Sequence, residues 1–545
     1  MKCFPRNLRK GPAVRLCSAG VLIAWLLSTL HGTAPPAGAP ADPARELFSG
    51  KVLRVTIETT SEGRESLGKE PRTYVPATVR VGDLGAWPKI GIKLKGAAGS
   101  FRELGDRPGL TLKLDKFGDP PDFYGLTKFH LNNAVQDGSW LSEWLGAQIF
   151  AAAGYPAPRV AHAHLVVDGR DLGLYVLREA FDQDLLLRCY GDASGNLYDG
   201  GFCQDIYAEL EKDSGKGTDD RSDLRALREA CTAALVSKDW SAIEKQVDIG
   251  ALIDFFALEA MLAHWDGYAF NRNNYRLYFD PRDGLARFLP HGMDQLFGDA
   301  EAAILRFPPS LVVGAVLANP EWRKRYRKRV VALVPHFNPQ KWFPRIDAMA
   351  ELLAPTLALV SKEARLGHVD AIRDLKARVA ARYGQLQTQS RAPEPTPVHF
   401  RGDKPQLVKG WNPAGETEGV VLRKKNIDGA MALQVSCAKS GEQVGGWRTS
   451  LLLARGRYRL IAMARADAVE APAADEDGEV RGGVFLAVDD ARSEQLFANT
   501  RWKLLSCEFE VSEFQREVEL ALRLRAIAGS ASFGIETLKI ARVSE

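Results

Sequence analysis

Apolar and polar positions divide the chain into three stretches with different periods. From Lys51 to about Val176 the residues alternate or are β-branched, and residues 52–57, 73–81, 90–94, 110–114, 129–131 and 162–167 read as strands. One helix interrupts them over residues 140–152, with apolar side chains at 140, 141, 144, 145 and 149 and Gly154 as its stop. Residues 204–265 and 320–386 carry mainly helical patterns, the first ending in the apolar run 252–262. Between them, residues 274–279 and 286–289 flank Asp283-Gly284, which predicts a short hairpin. Residues 387–397 (QTQSRAPEPTP) read as a Pro-rich linker. Beyond it the runs 430–435, 458–465, 484–488, 502–511, 517–525 and 532–540 have the spacing of an all-β sandwich, with the acidic residues 469–480 as an exposed loop. The expected fold class is α+β followed by all-β, with domains at 51–386 and 398–545.

Length agrees with that division, because 545 residues exceed what one hydrophobic core usually holds. A composition of 46% apolar and 26% charged residues excludes a disordered chain, a collagen-like repeat, a coiled coil and a polytopic membrane protein. The formal charge of +4 comes from 72 basic and 68 acidic residues. Residues 1–41 hold five of the bases and no acid, leaving 67 against 68 in the rest. The body therefore offers no global electrostatic case for nucleic acid.

That basic excess is an address. Residues 1–15 are positive, and residues 16–30 form an apolar run of fifteen, shorter than the roughly 20 a spanning helix needs. Ala39-Pro40-Ala41 before Asp42 fits a cleavage site. Residues 1–41 are expected to be a signal peptide, with an uncleaved anchor as the alternative, and 42–50 a linker. The mature protein is expected to be exported (secreted, periplasmic or envelope-associated), with no membrane span after signal removal. Of seven cysteines, two lie in the signal; Cys189–Cys203 and Cys437–Cys507 are candidate pairs, and free thiols are the alternative.

The richest chemistry lies in His264-Trp265-Asp266-Gly-Tyr-Ala-Phe-Asn271-Arg-Asn-Asn274, followed by Pro290-His-Gly-Met-Asp294-Gln-Leu-Phe-Gly298. Phosphoryl transfer to a hydroxyl needs a carboxylate near the nucleophile, then an amide or carboxylate nearby and a second carboxylate to hold metal on the phosphates. Asp266 and Asn271 share one loop, and the hairpin returns to Asp294, in the order of the protein-kinase H-R-D-x4-N and D-F-G motifs. The plainer reading is a packed His264 and a turn-forming Asp266.

Several upstream blocks stand in a matching order: Tyr74–Val81 (YVPATVRV), residues 90–101 (IGIKLKGAAGSF), 110–117 (LTLKLDKF), 137–143 (DGSWLSE), 154–158 (GYPAP), 173–179 (GLYVLRE) and 195–198 (GNLY). With the Asp266 and Asp294 segments, they resemble the CotH kinase family of atypical, secreted kinase-like proteins. The likeness covers about residues 50–300, and the helices to 386 are expected to complete the domain. The resemblance implies a two-lobed atypical protein-kinase-like domain binding ATP and Mg²⁺ (or Mn²⁺) between its lobes. It implies that Lys95, Gly96, Gly99 and Ser100 form a phosphate loop. Lys113 is the lysine expected to grip the phosphates, with Lys95 as its rival and a solvated strand lysine as the plain alternative. Glu143 is implied as that lysine's partner and Glu179 as the adenine-edge segment, through its backbone. Asp266 is implied as the general base or hydroxyl-orienting residue, Asn271 as a metal ligand and Asp294 as the main metal ligand.

The chain departs from the family pattern in three places. Gly292 replaces an acid common before Met293-Asp294, which questions a second metal; Ser142 stands where an Arg frequently precedes Glu143; and the loop lacks a Gly-Asn-Ser form. The first functional reading is an exported kinase for Ser or Thr of a secreted or envelope protein. The alternative is a catalytically degenerate surface, adhesion or structural protein of the same build. A secreted glycan-active enzyme ranks last, for want of an acid pair.

The C-terminal part resembles a carbohydrate-binding or galactose-binding-like jelly roll, which implies a glycan as a partner through this domain. Trp411 and Trp447 are candidates either for stacking on sugars or for the core. His162-x-His164 could face zinc or copper from one side of a strand but lacks a third ligand, so a packing role is the expectation. Residues 323–329 (RKRYRKR) read as a solvated helix face, with recruitment of an acidic or phosphorylated protein as the alternative.

Overall fold

The computed structural model describes residues 44–543 apart from 45, 46, 49, 84, 98, 119–122, 124, 306, 307, 394, 395, 401, 403, 415–418, 440 and 473–481. The expected signal peptide (1–41), part of the 42–50 linker and most of the acidic loop lie outside the described residues. Ala44–Glu545 form one compact unit, and its content is α+β. No helix among the described residues is long and apolar enough to cross a membrane.

The unit begins with β1 (Val52–Thr59), α1 (Ser61–Lys69), β2 (Val75–Val81), β3 (Ala86–Lys95), β4 (Gly109–Lys113), β5 (Lys128–Asn132), α2 (Ser142–Ala152), β6 (Val160–Val167) and β7 (Arg170–Glu179). The seven strands close into a barrel in the order β1-β2-β3-β4-β5-β7-β6. Its closing pair, β1 with β6, is parallel, from Val52 opposite His162 to Ile57 opposite Val167. Each periodic run from 52–57 to 162–167 coincides with a strand, apart from residues 73, 74 and 114, which lie just outside β2 and β4. Helix α1 is an addition to the single helix expected, because Gly63 and Gly68 in a polar sequence hide its period. Thr60 caps it, its hydroxyl accepting from the Gly63 amide at 3.0 Å.

Period two decides what the barrel offers outward. Ile92, Leu94, Leu110, Leu112, Phe129, Leu131 and Leu177 fill its interior core. Cross-strand register then aligns Lys93, Thr111, His130 and Arg178 in one row on the opposite face, with Lys95 opposite Gly109 in the next. This outward face is the wall of the cleft described below.

The chain continues through α3 (Gln183–Tyr190), β8 (Leu197–Asp199), β9 (Lys212–Ser214), α4 (Ser222–Ser237), α5 (Ser241–Glu244), α6 (Ile249–Met261), α7 (Tyr268–Asn271), β10 (Tyr275–Asp280) and β11 (Leu285–Pro290). The last two form the expected hairpin and join a four-stranded sheet, β11-β10-β8-β9. Helices α8 (Leu311–Ala318), α9 (Pro320–Leu333), α10 (Pro339–Val360) and α11 (Lys362–Arg391) complete the helical part. Helix α11 runs through residues 387–391, the first half of the expected linker, because only Pro393 ends it. Its Arg382 is 0% exposed and donates to the carbonyls of Ala260, Met261, Ala300 and Ala302. Carbonyls at the end of α6 and after the Asp294 turn thereby gain a buried donor.

The remaining strands are β12 (Gln406–Leu407), β13 (Asn412–Pro413), β14 (Val420–Ile427), β15 (Ala430–Cys437), β16 (Gln443–Glu470), β17 (Gly483–Val488), β18 (Ala491–Arg492), β19 (Lys503–Ala526), β20 (Ala528–Gly534) and β21 (Lys539–Val543). They form one ten-stranded sheet around a single core cluster, an arrangement that fits a β-sandwich. The runs 502–511 and 517–525 are one strand, β19, since no Gly or Pro separates them. Trp411 and Trp447 belong to the core.

Cys189, Cys203, Cys231, Cys437 and Cys507 are all free thiols, so neither candidate disulfide forms. His162 Nε2 lies 2.8 Å from the Trp140 carbonyl and His164 Nε2 2.7 Å from Asp171, both packing roles. In the basic run on α9, Arg323 donates to the Leu305 carbonyl, Arg327 to Ala392 and Arg329 to Asp254. These three arms tie α9 to its neighbours, while Lys324, Arg325 and Lys328 are exposed and form the expected solvated face.

Candidate functional site

A cleft of about 590 Å³ opens between the outward barrel face with α2 and the loops around β8, β10 and β11. That volume lies within the ~300–1,000 Å³ of small-molecule sites. Lys95, Gly96, Ser100, Glu143, Asp266 and Asp294 all line it. Gly99, Asn271, Lys113 and Glu179 are not among its lining residues.

Two loops bring the carboxylates together. After α6 the chain turns back, and the Glu259 carboxylate accepts from the amides of Tyr268 (3.0 Å) and Ala269 (3.1 Å), fixing the start of α7. His264 Nε2 lies 3.2 Å from the Gly292 carbonyl and so joins the Asp266 loop to the Asp294 loop. The Asp266 carboxylate accepts from Nδ2 of Asn271 (2.5 Å), Asn273 (3.1 Å) and Asn274 (2.7 Å). Asn271 thus holds Asp266 from behind, while Asn273 and Asn274 reach the cleft. Asn274 Oδ1 lies 3.2 Å from His291 Nδ1.

On the opposite wall Lys95 donates to Asn132 Oδ1 (2.5 Å), and Asn132 Nδ2 donates to Glu143 (2.8 Å). Arg178 Nε lies 3.6 Å from the other Glu143 oxygen. The lysine linked to Glu143 is therefore Lys95, through an amide. Lys113 shares its sheet face but is 39% exposed at the side chain and lies 4.0 Å from Asp115. Glu179 is 0% exposed and bound by Arg159 (2.8 Å) and Arg188 (2.6 Å), and its amide donates to the Arg159 carbonyl. It anchors β7 to α3.

In the loop, Gly96 (φ +116°) and Gly99 (φ +80°) take conformations that L side chains avoid, and a Cβ on Gly96 would stand 2.9 Å from the Phe101 backbone. The Ser100 hydroxyl accepts from the Ala97 amide at 3.1 Å, closing a tight turn. Ala98 lies outside the described residues.

Burial sets the electrostatics. It holds the Lys95 ammonium down at about 7, helped by the nearby Arg178 charge. It pushes Asp294 up to about 6, helped by Glu143. The lining holds seven acids (Asp137, Glu143, Asp199, Glu209, Glu211, Asp266, Asp294) against three bases (Lys95, Arg178, Arg276). An anionic nucleotide enters such a cleft only with compensating cations. Among the described residues no group of three or more His, Cys, Asp or Glu is arranged as a metal cage.

Asn132, Arg178, Asn274 and Arg276 were not singled out from the sequence. Asn132 and Arg178 alternate with core residues on β5 and β7, so their face was readable, but their place beside Lys95 depends on cross-strand register.

The family model described as "CotH kinase protein" matches residues 92–363. Inner spore coat protein H of Bacillus subtilis (strain 168) is 25% identical over 264 residues, 44% of this chain and 71% of that protein. Among solved structures, a Clostridium thermocellum endo-1,4-β-D-xylanase with its xylohexaose aligns at 13% identity and TM-score 0.19, over 24% of this chain and 26% of its own. A xylan-binding domain from Paenibacillus barcinonensis aligns at 11% identity and TM-score 0.18, over 27% of this chain and 99% of its own. At these scores the structural likenesses assign nothing.

Proposed function

The chain belongs, through residues 92–363, to the CotH kinase protein family, and on that premise we propose that it transfers the γ-phosphate of ATP to a Ser or Thr hydroxyl of a secreted or envelope protein. The observation that carries this reading is the convergence of Lys95, Asp266 and Asp294 on one cleft. The barrel with α2 acts as one lobe and the helical part as the other.

Asp294 is the metal-holding carboxylate, with Asp266 on the same cleft wall. Bound Mg²⁺ or Mn²⁺ neutralises charge on the phosphates in this reading. Lys95 binds the phosphate tail and takes its proton fully once an anion lies beside it. Asn132 and Glu143 orient Lys95. The three asparagine amides fix the Asp266 carboxylate so that it can orient an acceptor hydroxyl and receive its proton. Residues 1–41 carry the proposed export signal. The C-terminal β-rich part localises the enzyme by binding a glycan or protein, through a surface other than the buried Trp411 and Trp447.

Gly292, where the family commonly has an acid, favours a second reading: a non-catalytic surface protein on the same scaffold. Incubation of the mature protein with labelled ATP, Mg²⁺ or Mn²⁺ and envelope proteins separates the two. Label transfer lost in Asp266→Ala and Asp294→Ala supports the kinase, and transfer that survives both substitutions removes the catalytic assignment.

A further inference from the structure

Arg178 is buried at 2% exposure and lines the cleft, yet its charge is poorly answered. Its Nε has no hydrogen-bond partner, and Glu143, its ion-pair partner, is 3.6 Å away, beyond hydrogen-bond length. Its neighbours make matters worse. Lys95 is on the same cleft wall, and Arg276 stacks on the ring that Arg178 also covers: the two guanidinium carbons lie 5.2 and 5.1 Å from the Phe181 centroid. Arg276 is ion-paired with Asp199 (2.5 Å) and Asp213 (3.2 Å), although its Nε, like that of Arg178, makes no hydrogen bond. Arg178 has no comparable partner.

A buried guanidinium without close acceptors is costly unless a ligand supplies them. Its fork of N–H donors matches two oxygens of one phosphate, which an ammonium cannot match in the same way. The ring of Phe181 fixes the plane of that fork. We propose that Arg178 is a phosphate-binding residue, gripping the polyphosphate tail of the nucleotide bidentately beside Lys95. This rests on the cleft being the nucleotide site proposed above. It adds a second cation to the tail-binding wall, from β7, where the strand pattern had marked only Glu179.

The test is calorimetric binding of sodium tripolyphosphate, ATP and adenosine, each in Mg²⁺, to the full chain and to Arg178→Gln, Arg178→Lys and Lys113→Gln. Arg178→Gln is expected to weaken tripolyphosphate and ATP by about tenfold or more, the loss of a charge-assisted pair. Arg178→Lys is expected to fall between, and Lys113→Gln to match the unchanged protein. Adenosine affinity should not follow the substitutions. The melting temperature of free Arg178→Gln, whose substitution leaves Glu143 with one cation fewer, is read alongside, and weakened binding by a variant that still unfolds cooperatively separates lost binding from lost folding. Equal tripolyphosphate affinity in Arg178→Gln and the unchanged protein overturns the proposal, as does failure of the unchanged protein to bind it. Arg178-dependent tripolyphosphate binding without phosphate transfer would leave this inference standing and remove the kinase reading alone.

Discussion

Asn274 occupies, with its side-chain amide, the space that a Cβ on Gly292 would need. Gly292 also has φ +56°, a conformation side chains rarely adopt. The acid common at this position in the family therefore has no room here, and the space goes to an amide that holds Asp266 and faces His291. The missing acid is a rearrangement of the loop rather than a simple deletion.

Restoring the acid should harm the protein. Gly292→Asp is expected to destabilise by about 1–3 kcal/mol through backbone strain and the displaced Asn274. Denaturant unfolding measures this, and phosphate transfer should fall with it. A stable Gly292→Asp protein with higher activity would show that the loop tolerates the family arrangement.

The two lysines should separate cleanly. Lys95→Ala is expected to lower phosphate transfer by about 10²-fold or more, the scale for losing one well-placed electrostatic contact. Lys113→Ala is expected to keep both transfer and nucleotide affinity. Steady-state kinetics with labelled ATP decides between them, and the reverse ranking would return the role to Lys113.

Asp294 should trade stability for its proposed metal. Its carboxyl is held up at about 6 from an ordinary 3.8. Between those values the folded state binds more protons than the unfolded one, so stability falls as pH rises through the window. The cost is fully present above it. In metal-free buffer at pH 8, Asp294→Asn is expected to melt higher, by about 1–2 kcal/mol, and to show no such gain near pH 4. Phosphate transfer should vanish in the same variant.

Lys95 has the opposite slope. It is held down at about 7 from an ordinary 10.5. Over that window the unfolded chain binds more protons, so stability climbs with pH from about 7 to 10.5. Lys95→Met should flatten the climb in a series of melting curves. An unchanged slope would mean that Lys95 keeps its proton in the free protein.

The C-terminal tryptophans should behave as core. Trp411→Ala and Trp447→Ala are each expected to cost about 3–5 kcal/mol, read from unfolding of the full chain. Weakened glycan binding at unchanged stability would instead place them on a binding surface.

Periodicity made most strands legible, because a barrel interior and an outer face impose alternation on each strand. The parallel closure of β1 on β6 was not, since nothing local to either strand states which distant partner it takes. In the site, Asp266 and Asp294 stood out by motif spacing. The ranking of Asn271, Asn273 and Asn274 did not, because it depends on Arg272 and Asn274 adopting positive φ (55° and 47°) and turning successive amides differently. Lys95 and Lys113 share a face and differ only in which end of it meets the cleft. The absence of disulfides was equally hidden, as spacing along the chain fixes no distance between thiols.

The buried Arg382 has a consequence for any shortened version of the chain. The family match ends at residue 363, but the carbonyls of Ala260, Met261, Ala300 and Ala302 are capped from further along α11. Gln389 adds bonds to Ile304 and Glu301. A fragment cut at the family boundary would expose both flanks of the Asp294 turn to solvent competition. A transplantable unit containing the cleft must carry α11 to its last turn, so this helix is a clasp that any truncation or domain exchange has to preserve.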